Sequence, residues 1–355
     1  MIKSLLRALF LGLLLSASSL AAADVTLKAD HPGTYYVKEG DTLWTIASKF
    51  LQEPWQWPQI WQHNQQIPNP HLIYPGDVLH LSYVNGQPQI TVERGEQGKQ
   101  AASGYPTVKL SPKAEVQPIS AAIPAVSLDA IQSFLLDGQV TSPEQIKDSP
   151  YLLGGEDSRE IWGKGDVVYV RDPVNKWKKV NATYGVFQVG ERYVDPDTKE
   201  ILGYEALLVG HVKLLRKDGD IATMQIIDSR QGLQAGDRIL PSIRHEQIAT
   251  YFPDLPEKMV DGRIIRMFGA VDSTARNSVV VINKGAREGL KEGNLLQIDK
   301  RGEVVKDKQM KQYVQLPSQK AGTMLLFRVF DKVSYGLIMQ SLLPVSMNDT
   351  VGTPK

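Results

Sequence analysis

Cysteine is absent from the 355 residues. That excludes disulfides, a lipid-modified cysteine and every thiol nucleophile, so cysteine-dependent peptidases and transpeptidases drop out. Long apolar runs are missing too. The run Leu9 to Leu15 falls short of the roughly 18 residues that read as a membrane span, and no second run follows it. Neither sign of charge is in excess, with 40 Lys and Arg against 39 Asp and Glu. The clustered basic surface of nucleic-acid binders is therefore not expected. The dense run Lys176-Trp177-Lys178-Lys179 follows Asp172-Pro173 and reads as a solvated turn. Histidine is scarce: His31, His63, His71, His80, His211 and His245 are all there are. No His-x-His or His-Glu-x-x-His spacing occurs, so no zinc site is expected. No Gly-x-Ser-x-Gly nucleophile turn occurs either. Spacing alone does not remove a two-carboxylate glycosidase. Yet no carboxylate stands apart in an apolar, helix-rich context, and we expect no catalytic residues, no metal and no cofactor.

The chain does hold a secretory signal at residues 1–23. Lys3 and Arg7 precede the short apolar run, and Ala21-Ala22-Ala23 offers a small-residue cleavage site before Asp24. Without Lys3 and Arg7 the balance is 38 basic (40 minus 2) against 39 acidic residues, a net charge of −1. The mature chain is expected to be soluble and extracytoplasmic, with no transmembrane segment.

The expected fold class is α+β: a small βααβ module, a linker, then a mainly antiparallel β region with duplicated units. Residues 24–33 read as a flexible lead and 34–83 as the module. Residues 84–126 are rich in Gly, Gln, Ser, Ala and spaced prolines and read as a flexible linker. The rest, 127–355, reads as mainly β after short helices within 127–148. Ser127 can cap one helix, with Leu128, Ile131, Phe134 and Leu135 on one face. Ser142-Pro143-Glu144-Gln145 is a capping box for another. Runs such as Asp166–Val170, Ala222–Ile227 and Ser278–Ile282 then alternate with Gly/Asp/Asn turns. Two stretches, about 205–245 and 258–300, repeat one pattern: two strands, then Gly232-Leu233-Gln234-Ala235-Gly236-Asp237 or Gly289-Leu290-Lys291-Glu292-Gly293-Asn294. Gly163-Lys164-Gly165-Asp166 is a partial third turn. Glycine supplies positive φ there, and Asp or Asn supports the turn.

Within 34–83, Thr34 to Val37 alternates as a strand. Gly40-Asp41-Thr42 turns into a helix whose Leu43, Ile46, Ala47 and Phe50 form one stripe. Pro58 opens a second helix carrying Ile60, Trp61 and Asn64. Asn69-Pro70-His71-Leu72-Ile73 follows, and Tyr74-Pro75-Gly76-Asp77 turns into Val78–Leu81. This pattern resembles a LysM module, a βααβ fold that grips N-acetylglucosamine-containing glycans. The resemblance implies a shallow groove between two loops. One loop is Gly40, Asp41, Thr42 and Leu43; the other is Asn69, Pro70, Leu72 and Ile73. Backbone amides at the glycine turn and helix start suit the N-acetyl group, and Leu72 and Ile73 are expected to seat its methyl. The connection Leu51–Pro58 is longer and more aromatic than is usual in this family. Trp55, Trp57 and Trp61 can widen the groove or anchor the core, the core reading standing ahead and strongest for Trp61.

Beyond the linker, Ser149-Pro150-Tyr151, Gly165 to Val170 and Gly262 to Leu296 extend the resemblance. With Pro54 to Trp61 and Asn69 to Asp77, the mature chain resembles the TsaP family, whose C-terminal region is similar to FlgT. The family consists of peptidoglycan-binding partners of the type IV pilus secretin. It implies a non-catalytic periplasmic protein near the outer membrane, holding glycan strands by one end and the secretin by the other, in several copies around a ring. A peptidoglycan-bound scaffold of another envelope machine, such as the flagellar basal body, is the alternative; a peptidoglycan hydrolase is the rival.

Overall fold

The computed structural model describes residues 25–61, 73–84, 86–95, 131, 134, 138–173, 182–240, 251, 253–270 and 272–354. The expected signal segment, the basic run 176–179, the loop residues Asn69, Pro70 and Leu72, and most of the helix expected from Ser127 lie outside the described residues. The chain divides into two units, Met1–Pro124 and Ala125–Lys355.

In the first unit, β1 (Thr34–Tyr36) leads to α1 (Leu43–Phe50), a 3-10 turn (Pro54–Gln56), α2 (Trp57–Trp61), β2 (Val78–Val84) and β3 (Gln87–Glu93). The expected helical stripe is the buried one: Leu43, Ile46, Ala47 and Phe50 are joined by Trp44. Strand β3 corrects the linker boundary. It pairs antiparallel with β2 over its whole length, from Val78↔Glu93 to Val84↔Gln87, giving the sheet order β1-β2-β3. Its Ile90 and Val92 lie two apart, so both face the core and both are buried. A spacer composition averaged over 84–126 hides this short alternating run. The lead is not loose either. Lys28 N–H donates to Phe50 C=O at 2.8 Å, and Gln52 N–H donates to Thr26 C=O at 3.0 Å, which ties residues 26–28 to the end of α1.

The second unit is mainly β. After β4 (Gly138–Thr141), α3 (Pro143–Lys147) carries the expected capping box: Ser142 Oγ accepts from Gln145 N–H at 3.2 Å and Gln145 Oε1 accepts from Ser142 N–H at 3.0 Å. Then come β5 (Tyr151–Gly155), β6 (Ile161–Trp162), β7 (Val167–Arg171), β8 (Thr183–Val194), β9 (Ile201–Asp218), β10 (Ile221–Ser229), β11 (Leu233–Gln234) and β12 (Arg238–Leu240). Strand β10 pairs with both β7 and β9, so six strands close into a ring, β10-β7-β5-β12-β8-β9, with β4 added on β9. The remaining strands are β13 (Asp261–Met267), β14 (Ser273–Thr274), β15 (Val279–Ile282), β16 (Leu295–Lys300), β17 (Val304–Lys306), β18 (Tyr313–Gln315), β19 (Gln319–Val329), β20 (Ser334–Ser341), β21 (Val345–Ser346) and β22 (Thr350–Gly352). They form a closed barrel, β13-β15-β20-β19-β16-β22.

Numbered along the chain, the long strands of each ring pair as 1-2-5-4-3-6, and in each a short strand before strand 2 pairs with one before strand 6 (β6 with β11, β14 with β21). The stretches 205–245 and 258–300 do not coincide with these rings. The first lies in the second half of ring one and the second in the first half of ring two. What they share is the turn. Among the described residues it occurs at Lys38–Asp41, Tyr74–Asp77, Gly163–Asp166, Gln234–Asp237, Lys291–Asn294 and Ser346–Asp349. In each, the first N–H donates to the side-chain oxygen of the fourth residue, at 2.7 to 3.0 Å. The third residue has positive φ; it is glycine in all but the last turn, where Asn348 takes φ 66°.

Each ring buries its own core. Val168, Val170, Val212 and Met224 belong to the first, and Ile264, Val280, Leu296 and Ile338 to the second. The β8–β9 hairpin then reaches across. Its tip presents acids to bases of the second barrel: Asp197 meets Arg263 at 2.7 Å, and Glu200 meets Lys332 at 2.7 Å and Arg287 at 3.1 Å. Lys332 and Arg287 hold the Glu200 carboxyl below its usual range. Asp195 is buried, which alone would raise its pKa, but backbone N–H groups of Thr198 and Asp197 and the Asn283 amide prevail and lower it. At the centre Tyr193 and Tyr335 hydroxyls lie 3.1 Å apart. Burial pushes the Tyr335 phenol up to about 12 and raises Tyr193 as well, so both stay neutral.

Candidate functional site

The Lys38–Asp41 turn builds one wall of the expected groove. Gly40 stands exposed at φ 83°, and a Cβ there would meet nothing within 4 Å. Glu39 beside it is exposed too. Asp41 is half-buried, its Oδ2 accepting from Lys38 N–H at 2.8 Å and from the Tyr35 hydroxyl at 3.0 Å. Both bonds fall on one oxygen of the carboxylate. Its role is to fix the turn and so to present the amides around Gly40. The Tyr35 phenol is raised by its burial and by this carboxylate.

Thr42 caps α1. Its Oγ1 accepts from Thr45 N–H at 3.0 Å, and Thr45 Oγ1 accepts from Thr42 N–H at 2.9 Å. Of the two residues just ahead of the helix, Asp41 and Thr42, it is Thr42 that takes the cap. It is nearly fully buried, as is Leu43. Ile73 has no exposed surface at all. The expectation that Ile73 seats an acetyl methyl is therefore corrected: its side chain packs in the core, as burial of a large aliphatic favours. Asn69, Pro70 and Leu72 lie outside the described residues, so the second wall is represented by Ile73 alone.

The aromatic connection divides. Trp57 and Trp61 are buried core residues, while Trp55 is half-buried and donates its indole N–H to Glu53 Oε2 at 3.2 Å. Of these three, Trp55 alone keeps a face open to a sugar. Tyr36 was not singled out by the sequence. It is 65% exposed at the end of β1, a few residues before Gly40, while Tyr35 turns inward against Phe50. The signal was strand alternation, which puts neighbouring tyrosines on opposite faces.

No cluster of three or more His, Asp or Glu able to hold a metal is present among the described residues. What remains is an open, mostly backbone-lined turn beside exposed polar and aromatic side chains, suited to recognition of a neutral polar ligand. Residues 35–82 match the family model of the LysM domain. This segment is a LysM domain. LysM domains bind peptidoglycan and related N-acetylglucosamine glycans. An uncharacterized protein of Bacillus subtilis (strain 168), YqbP, is 40% identical over 14% of this chain and 27% of its own length. The chain thus spans about a quarter of the curated relative it matches. The fold around the LysM domain extends past the matched segment, to the β3 strand ending at Glu93.

Folding and binding should separate at the two ends of this wall. Thr42→Ala removes a helix cap and should cost about 0.5–2 kcal/mol. Leu43→Ala opens the core and should cost about 2–5 kcal/mol. Urea melts of the N-terminal unit check the order; equal losses would show that Thr42 does more than cap.

Proposed function

We propose that this chain is a non-catalytic periplasmic anchor that grips peptidoglycan through its LysM domain and braces the type IV pilus secretin through its β unit. The observation that carries the reading is the pairing of a LysM domain with a separate two-barrel unit in one chain. The secretin as partner is supported by the resemblance of the mature chain to the TsaP family. The periplasm and the outer-membrane vicinity follow from the signal segment and that partner. We further propose that the two barrels are duplicated units, on the strength of their shared strand order. One LysM groove is small and open and binds weakly alone. Several copies around a ring gain by effective concentration, provided the spacer reaches. A scaffold for another envelope machine, such as the flagellar basal body, keeps the same division of labour and exchanges only the partner.

The test begins with purified sacculi. The full chain and a fragment of residues 25–95 should sediment with them; a fragment of residues 127–355 should stay in solution. Binding by 127–355 and not by 25–95 would reverse the assignment. Affinity purification of the full chain from the envelope should bring the secretin with it, and its absence would leave an anchor for some other machine. No muropeptides should be released, with or without added divalent metal. Release abolished by a single carboxylate substitution would restore the hydrolase reading.

A further inference from the structure

The hairpin β17–β18 lies between the third and fourth strands of the second barrel. It is well built. Val304 pairs with Gln315, Val305 with Val314 and Lys306 with Tyr313. Asp307 closes its turn, with Oδ1 accepting from Gln309 N–H at 2.8 Å and Met310 N–H at 3.1 Å. Its base is tight: a Cβ on Gly302 would stand 2.1 Å from Leu316 C=O. Yet all six strand residues are exposed, Tyr313 at 73% and Val304 at 59%, and Met310 at the tip is 72% exposed. Among the described residues neither strand pairs with any other. A lone two-stranded ribbon is marginal in water, and free edges with exposed apolar residues invite a further strand.

The first barrel shows what this position is for. Its own third-to-fourth connection is the tip of the β8–β9 hairpin, which docks acids onto Arg263, Arg287 and Lys332 of the second barrel. The second barrel's connection is longer and of opposite charge: Arg301, Lys306, Lys308 and Lys311 against Glu303 and Asp307, a net +2 (4 minus 2). Among the described residues none of these four cations forms an ion pair. The surface that receives the first hairpin is basic and already filled, so the same surface on a second copy would repel this one.

We propose that β17–β18 is a docking arm for the acidic face of a partner β-sheet protein, with a free ribbon edge adding to the partner's sheet and the lysines pairing its carboxylates. Edge addition supplies main-chain hydrogen bonds, and the charges fix partner and register. The arm rests on the two-barrel geometry, not on wall binding by the LysM domain.

The test places a photoreactive phenylalanine analogue at Tyr313 or Val304 of the full chain in producing cells, with Tyr83 as control. Both arm positions should trap one and the same protein, through a peptide richer in Asp and Glu than in Lys and Arg, and the control should not. The variant Lys306→Glu/Lys308→Glu/Lys311→Glu should cut trapping by about tenfold or more. It should leave sacculus sedimentation and the melting temperature unchanged, because the altered side chains lie on the exposed arm. Should that variant misfold, trapping by the unaltered chain must still weaken as salt rises. Trapping of a second copy, of lipid or of nothing overturns the proposal, as does trapping indifferent to both charge and salt. Loss of sacculus binding with trapping intact would count against the anchor reading alone.

Discussion

A fragment of residues 25–95 should unfold in one cooperative transition, and a fragment ending at residue 83 should not. The difference lies in what β3 and the two residues after it cover. Ile90 and Val92 are buried, and losing such side chains forfeits about 1.5–3 kcal/mol each. Asp77 has no exposed side-chain surface and holds its turn through Tyr74 N–H. Its second partners come from beyond β3: Arg94 Nη1 at 2.8 Å and Gly95 N–H at 2.9 Å. Arg94 also stacks on the Tyr74 ring, 5.7 Å from its centroid. Cutting at 83 strands this carboxylate inside the fold, and an unpaired buried charge costs about 3–5 kcal/mol. A domain this small has a net stability of about that order. Arg94→Ala in the longer fragment should reproduce most of the charge part of the loss. So should Gly95→Ala, since a Cβ there would stand 2.3 Å from Gly76 C=O. Circular dichroism melts of the fragments decide it: matching midpoints for 25–83 and 25–95 would mean β3 is only an appendage.

That boundary marks where sequence reasoning stopped working. Local chemistry was legible. The α1 stripe, the Ser142–Gln145 capping box and the Gly-Asp turns are all encoded within four to eight residues, and each is where its pattern puts it. Strand β3 was also encoded: Asn85-Gly86 is a two-residue hairpin signal between alternating runs, but the prolines and glutamines that follow drown it. Ring closure was not legible, because β5 finds β12 and β13 finds β22 across most of a barrel's sequence. No short window holds that information. In the site, Gly40 was readable from its turn. The bond from Tyr35 to Asp41 and the full burial of Ile73 depend on the packing around them, which motif spacing does not report.

Replacing Tyr335 by alanine should turn the single unfolding of the β unit into two steps. Its ring is buried among Phe134, Phe268, Phe327 and Phe330, with centroids 5.2 to 6.4 Å away, and its hydroxyl meets Tyr193 of the other barrel. Loss of a large buried aromatic costs about 3–5 kcal/mol. The ion pairs around it are partly exposed, and such pairs contribute about 0–1 kcal/mol each. Phe268, Phe327 and Phe330 belong to the second barrel itself, so what crosses in the buried centre is the Tyr193–Tyr335 hydroxyl pair, with Asn283 on Asp195 beside it, and this centre should couple the barrels more than the charged rim does. Each barrel keeps its own closed ring and its own core, so decoupling leaves two bodies able to melt separately. Tyr335→Phe should behave differently. It keeps the ring and strands only the Tyr193 hydroxyl, for about 1–3 kcal/mol, so one transition should survive at lower temperature. High salt, which screens the rim, should leave the parent's single transition intact. Calorimetry of residues 127–355 separates these outcomes. A single transition in Tyr335→Ala, or a split one in the parent at high salt, would move the coupling from the buried centre to the rim.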